Sequence, residues 1–160
     1  MSTLYVDTIT EKTSGNGVQI PGHVVQVVSV TYSTYHTTSS SSFTDTGFDV
    51  TITPKSASSK IYIIGNYSIY LSGGIQNNRA ETAIYRDDTT KIAQMTVRQY
   101  DYGNSGVLIE HPLTMTYLDS PATTSAVKYT LYTRLDSGSN INLNDGSDDQ
   151  SNMTLMEIAQ

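Results

Sequence analysis

The chain has 160 residues, of which 37% are hydrophobic and 15% charged, and a net charge of −6. This length suffices for one domain with a hydrophobic core and is short for two. Only nine Lys and Arg residues are present, scattered along an acidic chain, which argues against nucleic acid as a partner because phosphate binding needs clustered cations. No apolar run approaches the ~20 residues that cross a bilayer. The absence of Cys excludes disulfides and thiolate metal sites.

The residue types favour strands over helices. The chain has 12 Tyr and is rich in Thr, Val and Ile, whereas no segment combines helical apolar spacing with helix caps. Turn residues separate short alternating runs throughout. The sequence therefore predicts an all-β fold, an antiparallel β-sandwich of jelly-roll type with a short N-terminal β arm.

The arm is the first predicted element. Apolar and polar residues alternate over Tyr5–Ile9, which predicts a strand, and Gly15-Asn16-Gly17 predicts a turn. Pro21-Gly22 then ends the segment. Because a pair of strands this small is not stable alone, it must lie on the body, on copies of itself or on a larger partner. We therefore divide the chain into an arm, residues 1–22, and a head, residues 23–160.

The head contains strand patterns separated by polar turns. Two stretches are predicted to be loops, His36–Ser42 and Asp119–Thr124, and Asp87–Thr90 is predicted to be the turn of a hairpin. The predicted strands are Val24–Tyr32, Phe43–Thr53, Ile61–Leu71, Ala80–Tyr85, Lys91–Tyr100, Val107–Leu118, Val127–Thr133, Ile141–Leu143 and Met153–Ile158.

Two of these strands are apolar on both faces. Val24–Val28 and Met153–Ile158 carry more apolar side chains than a two-layer sandwich needs. Contact between subunits would cover the extra face, since symmetric oligomers bury matching patches. Coverage by the same chain's sheets and loops is the alternative.

Catalytic and metal-binding patterns are weak. The three histidines, His23, His36 and His111, are isolated, and no Ser lies in a Gly-x-Ser-x-Gly elbow. The acidic residues fall mostly in predicted turns, where Asp bonds its own backbone, so paired glycosidase carboxylates are not recognisable. The oxygen-rich run Asp145–Asp149 suits calcium in composition but lacks EF-hand spacing. We expect no enzyme activity, no cofactor and no metal.

One turn has the composition of a sugar-binding surface. Tyr100, Asp101, Tyr102 and Asn104 combine aromatic rings with polar groups, which can stack on a sugar and hydrogen-bond its hydroxyls. Tyr is also an ordinary half-buried strand residue, so a purely structural role is the alternative. These four residues are the candidate glycan contacts.

The arm and the strand that follows it resemble the start of bacteriophage tail-fibre and related virion structural proteins, especially those of marine and cyanobacterial phages. The resemblance rests on Leu4–Ile9, Gly15–Gly22, His23–Val28, Ile52–Pro54, Ser58–Ile61 and Leu155–Ala159. It implies a short N-terminal attachment segment followed by a β-rich, usually trimeric head, with no cofactor and normally no enzyme activity. Long fibres carry a shaft between these two parts, and here the head follows the arm directly, so a short appendage is expected.

The resemblance and the residue patterns together suggest a virion protein assembled in the host cytoplasm. Its partners would be further copies of itself, as a homotrimer, and other tail or capsid proteins, without membrane insertion. We expect Leu4, Val6 and Ile9 to be buried where the arm docks on the particle. A receptor-binding knob that recognises host-surface glycan is one hypothesis. A capsid or tail decoration protein with purely structural contacts is the alternative, and a depolymerase is a third.

Overall fold

A computed structural model describes residues 6–10, 20–72, 77–100 and 110–160. These residues contain strands and no α-helix, and no helix in this part of the chain is long and apolar enough to cross a membrane. The strands are β1 (Val24–Tyr32), β2 (His36–Thr38), β3 (Thr44–Ile52), β4 (Lys60–Ser72), β5 (Asn78–Arg86), β6 (Thr90–Gln99), β7 (Glu110–Asp119), β8 (Val127–Ser137), β9 (Asn140–Leu143) and β10 (Ser151–Ile158). The all-β prediction is confirmed.

The strands form two antiparallel sheets. In the first sheet β4 pairs with β7 along one edge and with β10 and β9 along the other, and β1 and β2 extend it outward. The second sheet has the order β3-β8-β5-β6. The four antiparallel pairs β1/β10, β3/β8, β4/β7 and β5/β6 follow one another along a single two-stranded ribbon that folds into the two sheets. The short strands β2 and β9 are added to the first sheet. This is the topology of a jelly roll.

The hydrophobic core lies between the inner faces of the two sheets. Strict alternation places every second residue of β4 inside, from Ile61 to Leu71. Phe48 of β3 stacks on Tyr32 of β1 at a centroid distance of 4.9 Å. Phe48 also meets Tyr67 of β4 edge-on at 6.0 Å. The three rings thereby join β3 of the second sheet to β1 and β4 of the first.

Gly65 leaves room for one of these rings. A Cβ built at Gly65 would lie 1.9 Å from the Tyr67 hydroxyl oxygen and 2.3 Å from its Cζ. The Tyr67 ring therefore folds along its own strand and fills the space over the glycine, an arrangement that compensates for a missing side chain in a sheet. The Tyr67 hydroxyl is buried without a hydrogen-bond partner among the described residues, and burial raises its pKa.

The hairpin predicted around Asp87–Thr90 is confirmed. Asp87 and Asp88 both have positive φ, 50° and 57°, and Thr89 N donates to Arg86 O at 3.2 Å. Positive φ at both central residues defines a type I′ turn, whose twist matches that of the flanking strands. Asp87 tolerates this conformation while its carboxylate accepts from Lys128 N at 3.0 Å.

Two local predictions are wrong. The stretch His36–Ser42 is not entirely loop, because His36–Thr38 pairs with Ile141–Leu143 as a short strand; its backbone groups find partners at a sheet edge that the local sequence does not reveal. The strand predicted over Tyr5–Ile9 is absent from its described part, since residues 6–10 adopt no strand. An alternating pattern makes a strand only when a second strand supplies hydrogen bonds.

Candidate interaction surfaces

A single turn fixes where the arm meets the head. Ile20-Pro21-Gly22-His23 is a type II turn, in which His23 N donates to Ile20 O at 2.9 Å and Gly22 has a φ of +82°. Two further bonds fasten it to Ala159, the residue after the last strand, from Gly22 N to Ala159 O at 2.8 Å and from Ala159 N to His23 O at 2.9 Å. The local sequence dictates this turn, because Pro presets the second position and Gly tolerates the positive φ of the third.

The apolar residues described in the arm are exposed. Val6 is 50% exposed and Ile9 58%, and Ile20 at the turn is 49% exposed. Leu4, the third predicted attachment residue, lies outside the described residues. The core of the head does not include Val6, Ile9 or Ile20. These side chains are therefore available for a partner.

The outer face of the first sheet carries an apolar band near this turn. Strand register aligns Val27, Met156, Tyr62 and Leu118 in one row across β1, β10, β4 and β7. Val24 and Ile158 face each other in the neighbouring row, and we call these six residues the apolar band. Val27 is 55% exposed and Leu118 47%, so the part of the chain that the structure describes leaves this face of β1 uncovered.

Next to the apolar band the same face is uncharged and carries mostly hydroxyl and amide side chains around Ile64. Ser29 and Thr154 share a hydroxyl hydrogen bond of 2.9 Å across β1 and β10. Asn66 donates to the Asn152 side chain at 3.1 Å and accepts from the Thr114 hydroxyl at 2.8 Å. These amide and hydroxyl groups keep donor and acceptor capacity for a partner surface.

The outer face of the second sheet is charged and internally paired. Glu81 of β5 has a side chain only 3% exposed, although it points away from the core. Its carboxylate binds Arg79 at 2.9 Å and Arg134 at 2.7 Å, and it accepts from the Gln94 amide at 2.6 Å. Asp136 binds the same two arginines at 3.1 and 3.5 Å. Two cations thus hold two acids in a neutral, hydrogen-bonded network.

An aromatic cluster adjoins this network. Tyr85 and Tyr132 lie with ring centroids 4.3 Å apart, and Phe43 meets Tyr85 edge-on at 5.8 Å. The Lys91 ammonium and the Arg134 guanidinium lie 5.0 and 5.1 Å from the Phe43 centroid, within cation–π range. All three rings are half-buried, and the two cations lie over Phe43, which makes this part of the face amphipathic.

The charge network and the aromatic cluster were missed in the sequence. Arg79 and Glu81, and likewise Arg134 and Asp136, are two residues apart, and residues two apart in a strand share a face. That spacing signals a charged outer face on each strand. The pairing of β5 with β8, which brings both faces together, depends on register that no local pattern reveals.

The candidate glycan residues are described only in part. Tyr100 follows β6, is 53% exposed, and accepts a 3.5 Å hydrogen bond from Arg98 Nη1. Asp101, Tyr102 and Asn104 lie outside the described residues. A shallow cleft of about 170 Å³ lies between β4 and β7 and is lined by Asn66, Tyr67, Ser68, Pro112, Leu113, Thr114 and Gln150. Its volume is below the ~300 Å³ at which small-molecule sites begin.

Two of the acidic residues, Asp119 and Asp149, make hydrogen bonds that stabilise the fold. Asp119 binds Arg86 through both oxygens at 2.8 and 2.9 Å and accepts from the Tyr129 hydroxyl at 2.8 Å. Burial and this hydrogen bond raise the pKa of Tyr129. Asp149 accepts from Gly146 N at 2.9 Å and from Ser68 Oγ at 3.0 Å, which closes its own loop. Among the described residues, no three His, Asp or Glu side chains cluster as metal ligands.

The histidines are separate from one another. His23 lies at the arm turn, His36 on β2 and His111 on β7. Burial lowers the pKa of His36, an effect that Asp45 partly offsets, and burial also lowers the pKa of His111. His36 Nε2 lies 3.4 Å from the Thr133 hydroxyl. Both imidazoles therefore favour the neutral form more than they would in water.

No protein-family model matches the chain, and no curated protein matches it in sequence. Among solved structures it is similar to the infectious bursal disease virus VP2 subviral particle, at 12% identity and a TM-score of 0.35, over 84% of this chain and 38% of that one. It is also similar to the infectious bursal disease virus Gt strain structure, at 12% identity and a TM-score of 0.39, over 84% of this chain and 38% of that one. The T13 viral particle of the same virus matches at 14% identity and a TM-score of 0.38, over 84% of this chain and 35% of that one. The chain thus spans less than two fifths of these proteins. At such TM-scores the likeness carries no functional conclusion. The strand order itself defines the class: a jelly-roll β-sandwich.

Proposed function

We propose that this chain is a structural protein of a bacteriophage virion, a short homotrimeric appendage of the tail-fibre type that docks through its N-terminal arm. The observation that carries the proposal is an apolar segment held outside a complete core. Val6 and Ile9 are exposed, and the type II turn at Ile20–His23 fixes where the segment leaves the head. The sequence resemblance to phage virion proteins supplies the kind of partner that would cover it.

Trimer formation is part of this proposal. The exposed apolar side chains of β1, including the 55% exposed Val27, favour contact with another subunit. The resemblance supplies the number three. The proposal assigns the chain no catalytic activity, no cofactor and no metal.

Incorporation into particles tests the arm. Val6→Asp and Ile9→Asp place charges where apolar contact is proposed, and Thr8→Asp adds the same charge to an exposed polar position between them. We expect the first two to lower the copy number per particle, measured by quantitative mass spectrometry of purified virions, while Thr8→Asp retains it. Deletion of residues 1–22 should abolish incorporation and leave the head folded. Normal copy number for the deletion would show that the arm does not dock the protein.

Glycan recognition is the proposed role of the head. The exposed Tyr100 ring supports it, because an accessible aromatic face beside polar groups suits sugar stacking. Intact protein on an array of bacterial surface glycans should bind at least one glycan, and Tyr100→Ala should weaken that binding while Tyr35→Ala, at another exposed tyrosine, does not. If no glycan is bound, the role left by the proposal is that of a capsid or tail decoration protein.

A further inference from the structure

The two outer faces of the head differ sharply in charge. Among described residues on the outer face of the first sheet, the charged side chains are Lys60, which pairs in register with Ile158 at the edge of the apolar band, and Glu110, which lies toward the other end of β4 and β7. The outer face of the second sheet carries charges on every strand: Asp45, Asp49, Arg79, Glu81, Lys91, Arg98, Lys128, Arg134 and Asp136. The apolar band lies on the nearly uncharged face.

Symmetry makes this difference matter. Copies related by rotation place the same residues of each subunit around one axis, so a charge close to that axis meets its own kind. Each copy also carries a net charge of −6, which opposes association at long range. A charged face is costly to pair with itself, whereas the apolar band and its neighbouring Ser, Thr and Asn side chains are not. Hydroxyl and amide groups both donate and accept, so they can hydrogen-bond to copies of themselves.

The position of the apolar band fits an assembly that presents its arms together. Val24 begins β1 two residues after Gly22, and Ile158 opposite it precedes Ala159, which is bonded to the turn. The band thus adjoins the point where the arm leaves the head. Copies joined through the band would bring their arms out at one end.

We propose that the apolar band is the surface through which copies of this chain associate, and that its occupant is a second copy of the chain. This rests on the self-association in the proposed function and assigns it to particular residues. Val27 and Leu118 lie at the two ends of the four-residue row in the apolar band and are 55% and 47% exposed. Both become buried on assembly. The charged face of the second sheet stays outside the contact.

Matched lysine substitutions test the assignment in the full-length chain. Val27→Lys and Leu118→Lys each place a charge in the apolar band, while Thr96→Lys places one at an exposed position of β6 on the opposite face. Each change adds one positive charge, from −6 to −5, so long-range repulsion falls equally in all three. We expect the two band variants to raise the dissociation constant of the oligomer at least about tenfold in sedimentation velocity. Thr96→Lys should leave it unchanged. Because Val27 and Leu118 are exposed in the single chain, their urea midpoints should stay near wild type when measured at concentrations where wild type and variants are all monomeric.

A fluorescent label gives a second readout. The chain has no Cys, so Val27→Cys labelled with pyrene reports only on that position. Excimer emission that falls on dilution is expected for Val27→Cys and not for Thr96→Cys. A monomeric wild type, or equal weakening by Thr96→Lys, would overturn the proposal. If neither band variant weakens the oligomer, the interface lies elsewhere, and the proposed virion role is unaffected. If particles incorporate the protein normally after deletion of residues 1–22, the proposed virion role is wrong, and the proposed interface is unaffected.

Discussion

Gly65→Ala is expected to destabilise the head strongly through contact with one buried ring. The new Cβ would lie 1.9 Å from Tyr67 Oη and 2.3 Å from Cζ, far inside van der Waals contact, so the ring must move. Tyr67 is 2% exposed and packs edge-on against Phe48. Displacing the ring forfeits packing comparable to a large-to-small core change, which costs about 3–5 kcal/mol.

The effect should reverse sign when the ring is absent. Gly65 does not have a positive φ, so its backbone accepts alanine, and replacing such a glycine usually stabilises by about 0.4–1 kcal/mol. In a Tyr67→Ala background, itself destabilised, Gly65→Ala should therefore be neutral or stabilising. Tyr67→Phe is the matched control, since the ring carbon at 2.3 Å remains and the clash persists. Alone, Tyr67→Phe removes an unpartnered buried hydroxyl and should raise stability by about 1 kcal/mol.

The assay is a double-mutant cycle of urea unfolding followed by tyrosine fluorescence and circular dichroism. The cycle isolates the coupling between the two positions from their separate costs. Additive free energies, with Gly65→Ala costing the same with and without the Tyr67 ring, would refute the steric explanation. Loss from the glycine position would then have to come from the backbone.

The buried Arg86–Asp119 pair and the histidines give two further expectations. Arg86→Met leaves an Asp119 carboxylate that is 8% exposed, with only the Tyr129 hydroxyl described as a side-chain partner, and should cost about 3–5 kcal/mol in urea unfolding. Lys128→Met, the control at a more exposed ion pair, should change the free energy of unfolding little. Equal losses in the two variants would contradict the role of burial. Burial lowers the pKa of His36 and His111 below the ordinary 6.5, so the unfolded chain takes up protons first as the pH falls. Stability should therefore be complete above that pH and fall as the pH drops below 6.5. The double variant His36→Asn, His111→Asn should flatten this dependence of stability on pH. Asp88, whose pKa the Lys128 hydrogen bond lowers from 3.8, affects stability only at lower pH than the histidines do. An unchanged pH dependence in the double variant would show that other groups are responsible for it.

Local chemistry predicted much of the head. Alternation over Ile61–Leu71 predicted the strand, and Asp87–Thr90 predicted the hairpin turn. These features depend on residues close in sequence, whose periodicity or turn preference acts within a few positions. The short strand at His36–Thr38 was missed because its partner, Ile141–Leu143, lies about a hundred residues away.

The surfaces were harder to predict than the strands. Glu81 reads as an ordinary exposed acid, and its burial follows from Arg134, which reaches it only because β5 pairs with β8. The arm shows the opposite failure, since its alternating residues 6–10 adopt no strand in the described structure. The alternation of apolar and polar residues indicates which side chains are stabilised by burial, and it does not indicate which part of the molecule or which partner buries them.

That distinction also explains why the two outer faces suggest different roles. On the second sheet Arg79 and Arg134 neutralise the buried Glu81, so this part of the face needs no partner. On the first sheet Val27 and Leu118 remain exposed, and the nearby arm leaves Val6 and Ile9 exposed as well. Exposed apolar groups gain free energy whenever a partner removes them from water. The exposed apolar side chains are therefore concentrated on the outer face of the first sheet and on the adjoining arm, and association should begin there.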